Sequence, residues 1–244
     1  HYVNHFDNYA DLVALFNSCI YDQPEGGDGL AGCILAFWND RYIDNVPQLL
    51  AENNFYPYML TLAERAWRGG GNCYFDGKGT LLWDDEPEQL AAFTEFEHRL
   101  LWQKRHWLKD EPFPYVCQTK MHWEITDAFP NGGDLGKVFP PEAQEDSIYH
   151  YEGKIYKTHK ITGNGIYLRH VWGTLVPGFY PNPQENHTAY ATSWIYSSEE
   201  RKTRLMLEFQ NYSRSESDLP PRQGTWDYNG SRAWLNGVEL LPPV

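Results

Sequence analysis

The sequence predicts an α+β fold, and three observations lead to that class. Residues 2 to about 109 alternate a short apolar run with long helical stretches, the pattern of an α/β unit. From about Tyr115 onward, short strand-like runs alternate with Gly, Pro and Asn turns, which points to an all-β sandwich or jelly roll. Pro112 and Pro114 separate the two textures, so the expected units are residues 1–111 and residues 115–244.

In the first region Tyr9, Leu12, Val13, Leu15 and Phe16 recur at spacings of three and four, which places them on one face of a helix that Asp7 can cap. A Gly-rich loop follows over residues 23–29. Residues 32–38 read as a strand apolar on both faces, as in a parallel strand buried between layers. Polar residues begin at its C-terminal end with Asn39, Asp40 and Arg41, the end at which parallel α/β folds bind ligands. Asn45-Val46-Pro47 starts one helix. Tyr56-Pro57 starts another, which runs through Leu62 and Trp67 until Gly69-Gly70-Gly71 ends it. A third helix is expected to open at Asp85, with Glu88 completing a capping box, and to run through Phe93, Leu100 and Trp107. The second region offers strands at 148–151, 154–160, 165–170, 188–196 and 204–209. A last hairpin runs over 232–235, turns through Asn236-Gly237 and returns over 238–240.

Composition narrows the function classes. With 20 basic and 33 acidic side chains the net charge is −13, and no Lys/Arg run offsets it, which argues against nucleic acid and anionic membrane surfaces as partners. The 10 Trp, 17 Tyr and 12 Phe supply ample apolar area, so the bulk of the chain is not disordered. The longest apolar run, residues 33–38, is far short of the roughly 20 residues a membrane span needs. Patterned sequence already begins at Tyr2 with no signal peptide or initiator Met, so the chain is expected to be part of something longer. Cys19, Cys33, Cys73 and Cys117 form no Cys-x-x-Cys pair and are expected as packed thiols. Asn-x-Ser/Thr triplets at Asn186, Asn211 and Asn229 do not fix a compartment.

Little of the chain carries recognisable catalytic patterning. The acidic clusters 84–86, 110–111 and 142–146 sit at a helix start and in Pro-containing links, where capping and solvation explain them. His122-Trp123-Glu124 resembles half of a deaminase motif without the cysteines of the second half, so no metal or other cofactor is expected. No nucleophile elbow or phosphate loop occurs. What remains is Trp38-Asn39-Asp40 at the end of the apolar strand. An indole face can carry the C–H face of a sugar while an adjacent carboxylate accepts from its hydroxyls. A core tryptophan followed by a capping aspartate is the competing reading of the same residues.

Two segments together resemble a known family. Gly32-Cys33-Ile34-Leu35-Ala36-Phe37-Trp38-Asn39-Asp40, followed by Tyr58-Met59-Leu60-Thr61-Leu62-Ala63-Glu64-Arg65-Ala66-Trp67, resembles the last strand and last helix of glycoside hydrolase family 20, the β-N-acetylhexosaminidases. Tyr2-Val3-Asn4 resembles the preceding strand, with Asn4 where the family usually has an acid and Asp40 where a Glu is commoner. The resemblance covers roughly residues 1–70 and implies that residues 1–111 are the C-terminal remnant of a (β/α)8 barrel with extra helices. It further implies that Tyr2 binds a substrate acetamido group, that Trp38 walls the pocket and that Asp40 holds sugar hydroxyls. The family's reaction is substrate-assisted, with an Asp-Glu pair on the fourth strand, and no such segment occurs here. The implied partners are therefore a terminal N-acetylhexosamine of a glycan and the upstream part of the same protein. The implied compartment is secreted or periplasmic, and the chain alone is expected to be inactive. Residues 224–237 resemble galactose-binding-type jelly-roll accessory domains, in which Trp226 or Trp234 could bind glycan or pack the sandwich core. A carbohydrate-binding module and a sandwich that only braces the barrel are the alternative functions.

Overall fold

The computed structural model describes residues 2–3, 12–20, 25–37, 47, 54–72, 81–169, 178–202, 207, 209 and 222–242. Helices and antiparallel sheets mix in it, an α+β arrangement with one parallel strand pair.

Among the described residues the N-terminal part runs strand, helix, strand, helix, with Pro47 also helical between the last two. β1 (Tyr2–Val3) pairs in parallel with β2 (Ala36–Phe37), in the register Tyr2↔Ala36 and Val3↔Phe37. The ladder is much shorter than the apolar run that suggested it. Gly32 adopts φ +136, a conformation side-chain-bearing residues avoid, and Ile34 is 78% exposed, so the residues before Ala36 are not sandwiched between layers. Between the strands lies α1 (Leu12–Asn17), every residue of which is buried. α2 (Phe55–Arg68) ends as predicted, where Gly69 at φ 65 donates its N–H to the Arg65 carbonyl. Arg65 ties α2 to α1 by donating to the Phe16 carbonyl at 2.6 Å.

β3 (Leu82–Trp83) leads into α3 (Pro87–His106). The capping box expected from Asp85 and Glu88 does not form. The helix opens at Pro87, whose fixed φ suits the first position, with Glu86 before it and no side-chain cap. Phe16 packs edge-on against Phe93 at 5.2 Å and stacks on Phe96 at 5.0 Å, joining α1 and α3 in one core with Leu12, Leu82 and Leu100.

A nine-residue strand, β7 (Lys154–Thr162), organises the rest. One edge carries β4 (His122–Thr126), from His122↔Thr162 to Thr126↔Thr158, and β4 in turn carries β9 (Ala191–Thr192). The other edge carries β6 (Ile148–Tyr151) near the start of β7 and β3 at its end, in the register Leu82↔Thr162 and Trp83↔Ile161. A strand preceding α3 thus belongs to the sheet of the strand-rich region. β5 (Phe129–Pro130) pairs with β8 (His187–Thr188). Phe129 lies at the centre of an aromatic core, stacked on Tyr156 at 4.2 Å and 5.0 Å from Phe139. The hairpin of β10 (Trp234–Leu235) and β11 (Val238–Glu239) forms where Asn-Gly predicted it, with φ 51 and 78 at the two turn residues as a type I′ turn requires.

Three strand expectations differ from the structure. Residues 165–169 make no ladder, the 188–196 run is reduced to two short pairings, and 204–209 lies mostly outside the described residues. β4 and β5 were not anticipated. Among the described residues no helix is long and apolar enough to cross a membrane.

Candidate functional site

The residues singled out at the strand end are only partly visible. Tyr2 sits in β1 beside Ala36 of β2, whereas Trp38 and Asp40 lie outside the described residues, immediately past the last paired residue, Phe37. Trp226 is half-buried with its ring 5.6 Å from that of Phe209. Trp234 is 39% exposed, and the Arg232 guanidinium lies 5.1 Å from its ring centre. Arg232 also reaches Glu142 at 3.2 Å, which fastens this C-terminal segment to the turn before β6. In the preceding loop the buried Asp227 carboxylate accepts from the backbone N–H groups of Asn229 and Ser231 and from the Ser231 hydroxyl.

The acidic clusters are occupied with structural bonds. Asp84 accepts from the Thr162 hydroxyl at 2.9 Å, Glu111 from Tyr56 at 2.8 Å, and Glu142 from Tyr190 at 2.5 Å. His122-Trp123-Glu124 is part of β4, with the Trp123 indole N–H donating to the Gly163 carbonyl at 2.9 Å. No group of His, Cys, Asp or Glu among the described residues is arranged to hold a metal ion. Cys19, Cys33 and Cys117 take part in no disulfide, and each is partly buried.

One carboxylate that sequence reasoning passed over lies at the junction of α3 and the sheet. Glu97 is fully buried. Its Oε1 accepts from the Tyr115 hydroxyl and the Gln118 N–H, each at 2.6 Å. Its Oε2 accepts from the Cys117 thiol at 3.0 Å, the Thr119 N–H at 3.2 Å and the Thr119 hydroxyl. Burial alone would raise its pKa, but the bonds from Cys117, Thr119, Tyr115 and Gln118 outweigh burial and hold it below the ordinary value. Burial, reinforced by the bond to Glu97, pushes the Tyr115 phenol far up, and the same two causes raise the Cys117 thiol. With its lone pairs committed, Glu97 is a fixed anion that pins residues 115–119 and has no spare capacity for proton transfer. Its sequence signal is a charged residue four past Phe93 and three before Leu100, on the apolar face of a helix.

The pinned loop walls a cavity of about 220 Å³. Leu12 and Val13 of α1, the start of α2, the beginning of β3 and the turn after β7 supply the other walls. Asn54, Tyr58, Tyr115, Gln118, Asn164 and Tyr167 contribute polar groups, and none of the described lining residues is charged. Asn54 precedes the first residue of α2, where its side chain would ordinarily cap the helix, yet it makes no capping bond. The third helical residue is Pro57, which has no N–H to give it. Asn54 Oδ1 is consequently enclosed without a hydrogen-bond partner. An acceptor left so costs about 1–3 kcal/mol.

Comparison of the chain with known proteins finds no matching family model, no matching curated protein and no matching solved structure.

Proposed function

We propose that this chain is the C-terminal portion of a glycoside hydrolase of the β-N-acetylhexosaminidase type, supplying non-catalytic walls of the substrate pocket. The parallel pairing of β1 and β2 carries the reading. Together with the order β1, α1, β2, α2 among the described residues it is what two successive units of a (β/α)8 barrel would give, and in the sequence Trp38 directly follows Phe37, the last paired residue of β2. At that end Tyr2 binds the substrate's acetamido group, Trp38 offers a flat face to the sugar ring and Asp40 accepts from its hydroxyls. The general acid and its neighbouring carboxylate belong to an upstream part of the protein, in a secreted or periplasmic setting. Residues 115–244 then form an accessory jelly roll beside the barrel remnant of residues 1–111. A second reading, a carbohydrate-binding module, draws on the partial exposure of Trp234, whose ring also carries the Arg232 guanidinium. The packing of Trp226 on Phe209 weighs toward a structural use of the other tryptophan.

The test is turnover of a chromogenic N-acetyl-β-glucosaminide. The chain alone is expected to be inactive, and activity appears when the upstream barrel polypeptide is added. In that complex Asp40→Ala lowers kcat/KM by roughly tenfold to a hundredfold, the worth of one or two lost hydrogen bonds. Turnover by the isolated chain that disappears on mutating one of its own carboxylates overturns the proposal.

A further inference from the structure

We propose that the outer face of α3 binds a second copy of this chain, the two helices lying antiparallel about a two-fold axis at their midpoint. The inner face is committed to the core through Phe93, Phe96 and Leu100. On the outer face Glu88, Ala91, Glu95, His98, Trp102 and Arg105 are all exposed. They recur at alternating spacings of three and four, which keeps side chains in line along the seam between two packed helices. Reversed end to end over its full length, Pro87–His106, the helix sets Glu88 against Arg105, Ala91 against Trp102 and Glu95 against His98. The stripe is thus its own complement, as a two-fold interface requires: acid meets base at the ends, and a small side chain meets the largest between them. A parallel pairing would set Glu88 against Glu88 and Arg105 against Arg105. The division of charge also runs further than the helix dipole accounts for, because the dipole acts only within the first and last turns. Residues 84–97 carry six Asp or Glu and no Lys or Arg, whereas residues 98–109 carry four Lys or Arg and no acid. Neither Glu88 nor Arg105 makes an ion pair among the described residues, while Glu95 is held by Arg99 on its own helix. Trp102 is 43% exposed, and its stacking on His106 at 4.2 Å fixes the ring before docking, so little side-chain freedom is lost in the pair. No residue of this face belongs to the sugar pocket proposed above, and the two readings stand or fall separately.

Sedimentation velocity on the full chain, across the micromolar range and at low salt, tests this. A contact one helix wide falls at or below the roughly 1,200 Å² at which stable interfaces begin, so the dimer is expected to be weak, with a dissociation constant on the order of 10 μM, and to loosen as salt is raised. Symmetry repeats every contact twice, so Glu88→Arg and Arg105→Glu should each weaken the dimer about tenfold or more, and Trp102→Ala about fivefold or more. Combining Glu88→Arg with Arg105→Glu exchanges the charges and restores the complement, and should bring the dimer back to within about threefold of wild type. A chain that stays monomeric throughout, a dimer indifferent to both single reversals, or a combined variant no tighter than the singles overturns the proposal. All three positions are exposed, so melting temperatures should hold. If one reversal fails to fold, the other reversal and Trp102→Ala decide.

Discussion

Five donors converge on the Glu97 carboxylate, and they come from four residues that would otherwise make a free loop. Glu97→Gln keeps the shape but, whichever way the amide faces, turns its N–H2 toward a backbone N–H that can only donate, Gln118 on one side or Thr119 on the other, so unfolding free energy should fall by about 2–4 kcal/mol in urea titrations. The pH dependence has a defined sign. The folded-state pKa is depressed below the ordinary 4.5, so the stabilisation is complete above that value and is lost as pH falls through the lower folded value. The gap between wild type and Glu97→Gln should therefore be constant from neutral pH down to about pH 5 and narrow below it. A gap that widens on acidification would contradict the assignment. Of this clamp the sequence shows only the anomaly, a Glu on an apolar helix face. Its partners lie 18 to 22 residues downstream in a Pro-flanked link, where no periodicity announces them.

At the level of elements, helices with strong stop signals, the β6–β7 pair and the Asn-Gly hairpin were legible, and the short strands β3, β5, β8 and β9 were not. The Gly69-Gly70-Gly71 stop of α2 holds because two backbones meet there. Gly71 has φ +105, and a Cβ on it would lie 2.6 Å from the Ser18 carbonyl oxygen and 2.8 Å from the Cys19 nitrogen. That close approach lets Asn72 exchange backbone hydrogen bonds with Asn17 and Cys19 at 2.7 and 2.8 Å, closing α2 back onto α1. Gly71→Ala should cost about 3 kcal/mol, because neither clashing group is a movable side chain. Gly70→Ala, at φ +62 with open space around it, should cost about 1 kcal/mol, and thermal melts of the two variants give the comparison. The helix start at Pro87 was misplaced because capping-box spacing competed with proline's own preference for the first position. β4 was legible but passed over: His122-Trp123-Glu124-Ile125-Thr126 alternates polar and apolar residues along its whole length, although its burial deepens toward Ile125 and Thr126 rather than alternating with them.

For the whole molecule, the α+β class follows from the textures of the two regions, and the cavity does not. It is assembled from residues as distant as Leu12 and Tyr167, and its unbonded oxygen arises from the coincidence of an Asn cap with a proline three positions on. The seam between the regions is also more closely stitched than the Pro112–Pro114 link implies. Leu82 is fully buried, β3 pairs with Thr162 and Ile161, and Trp83 stacks on Phe179 at 5.6 Å. For anyone cutting the gene into pieces, that stitching decides where the scissors go. A fragment begun at Tyr115 would leave the β7 edge at Ile161–Thr162 with free hydrogen-bonding groups and Phe179 without its indole lid, a template for sticking to further copies of itself. Such a fragment should precipitate or oligomerise in light scattering, whereas one begun before Leu12, which keeps α1 packed on α3 as well as β3 on β7, should associate far less.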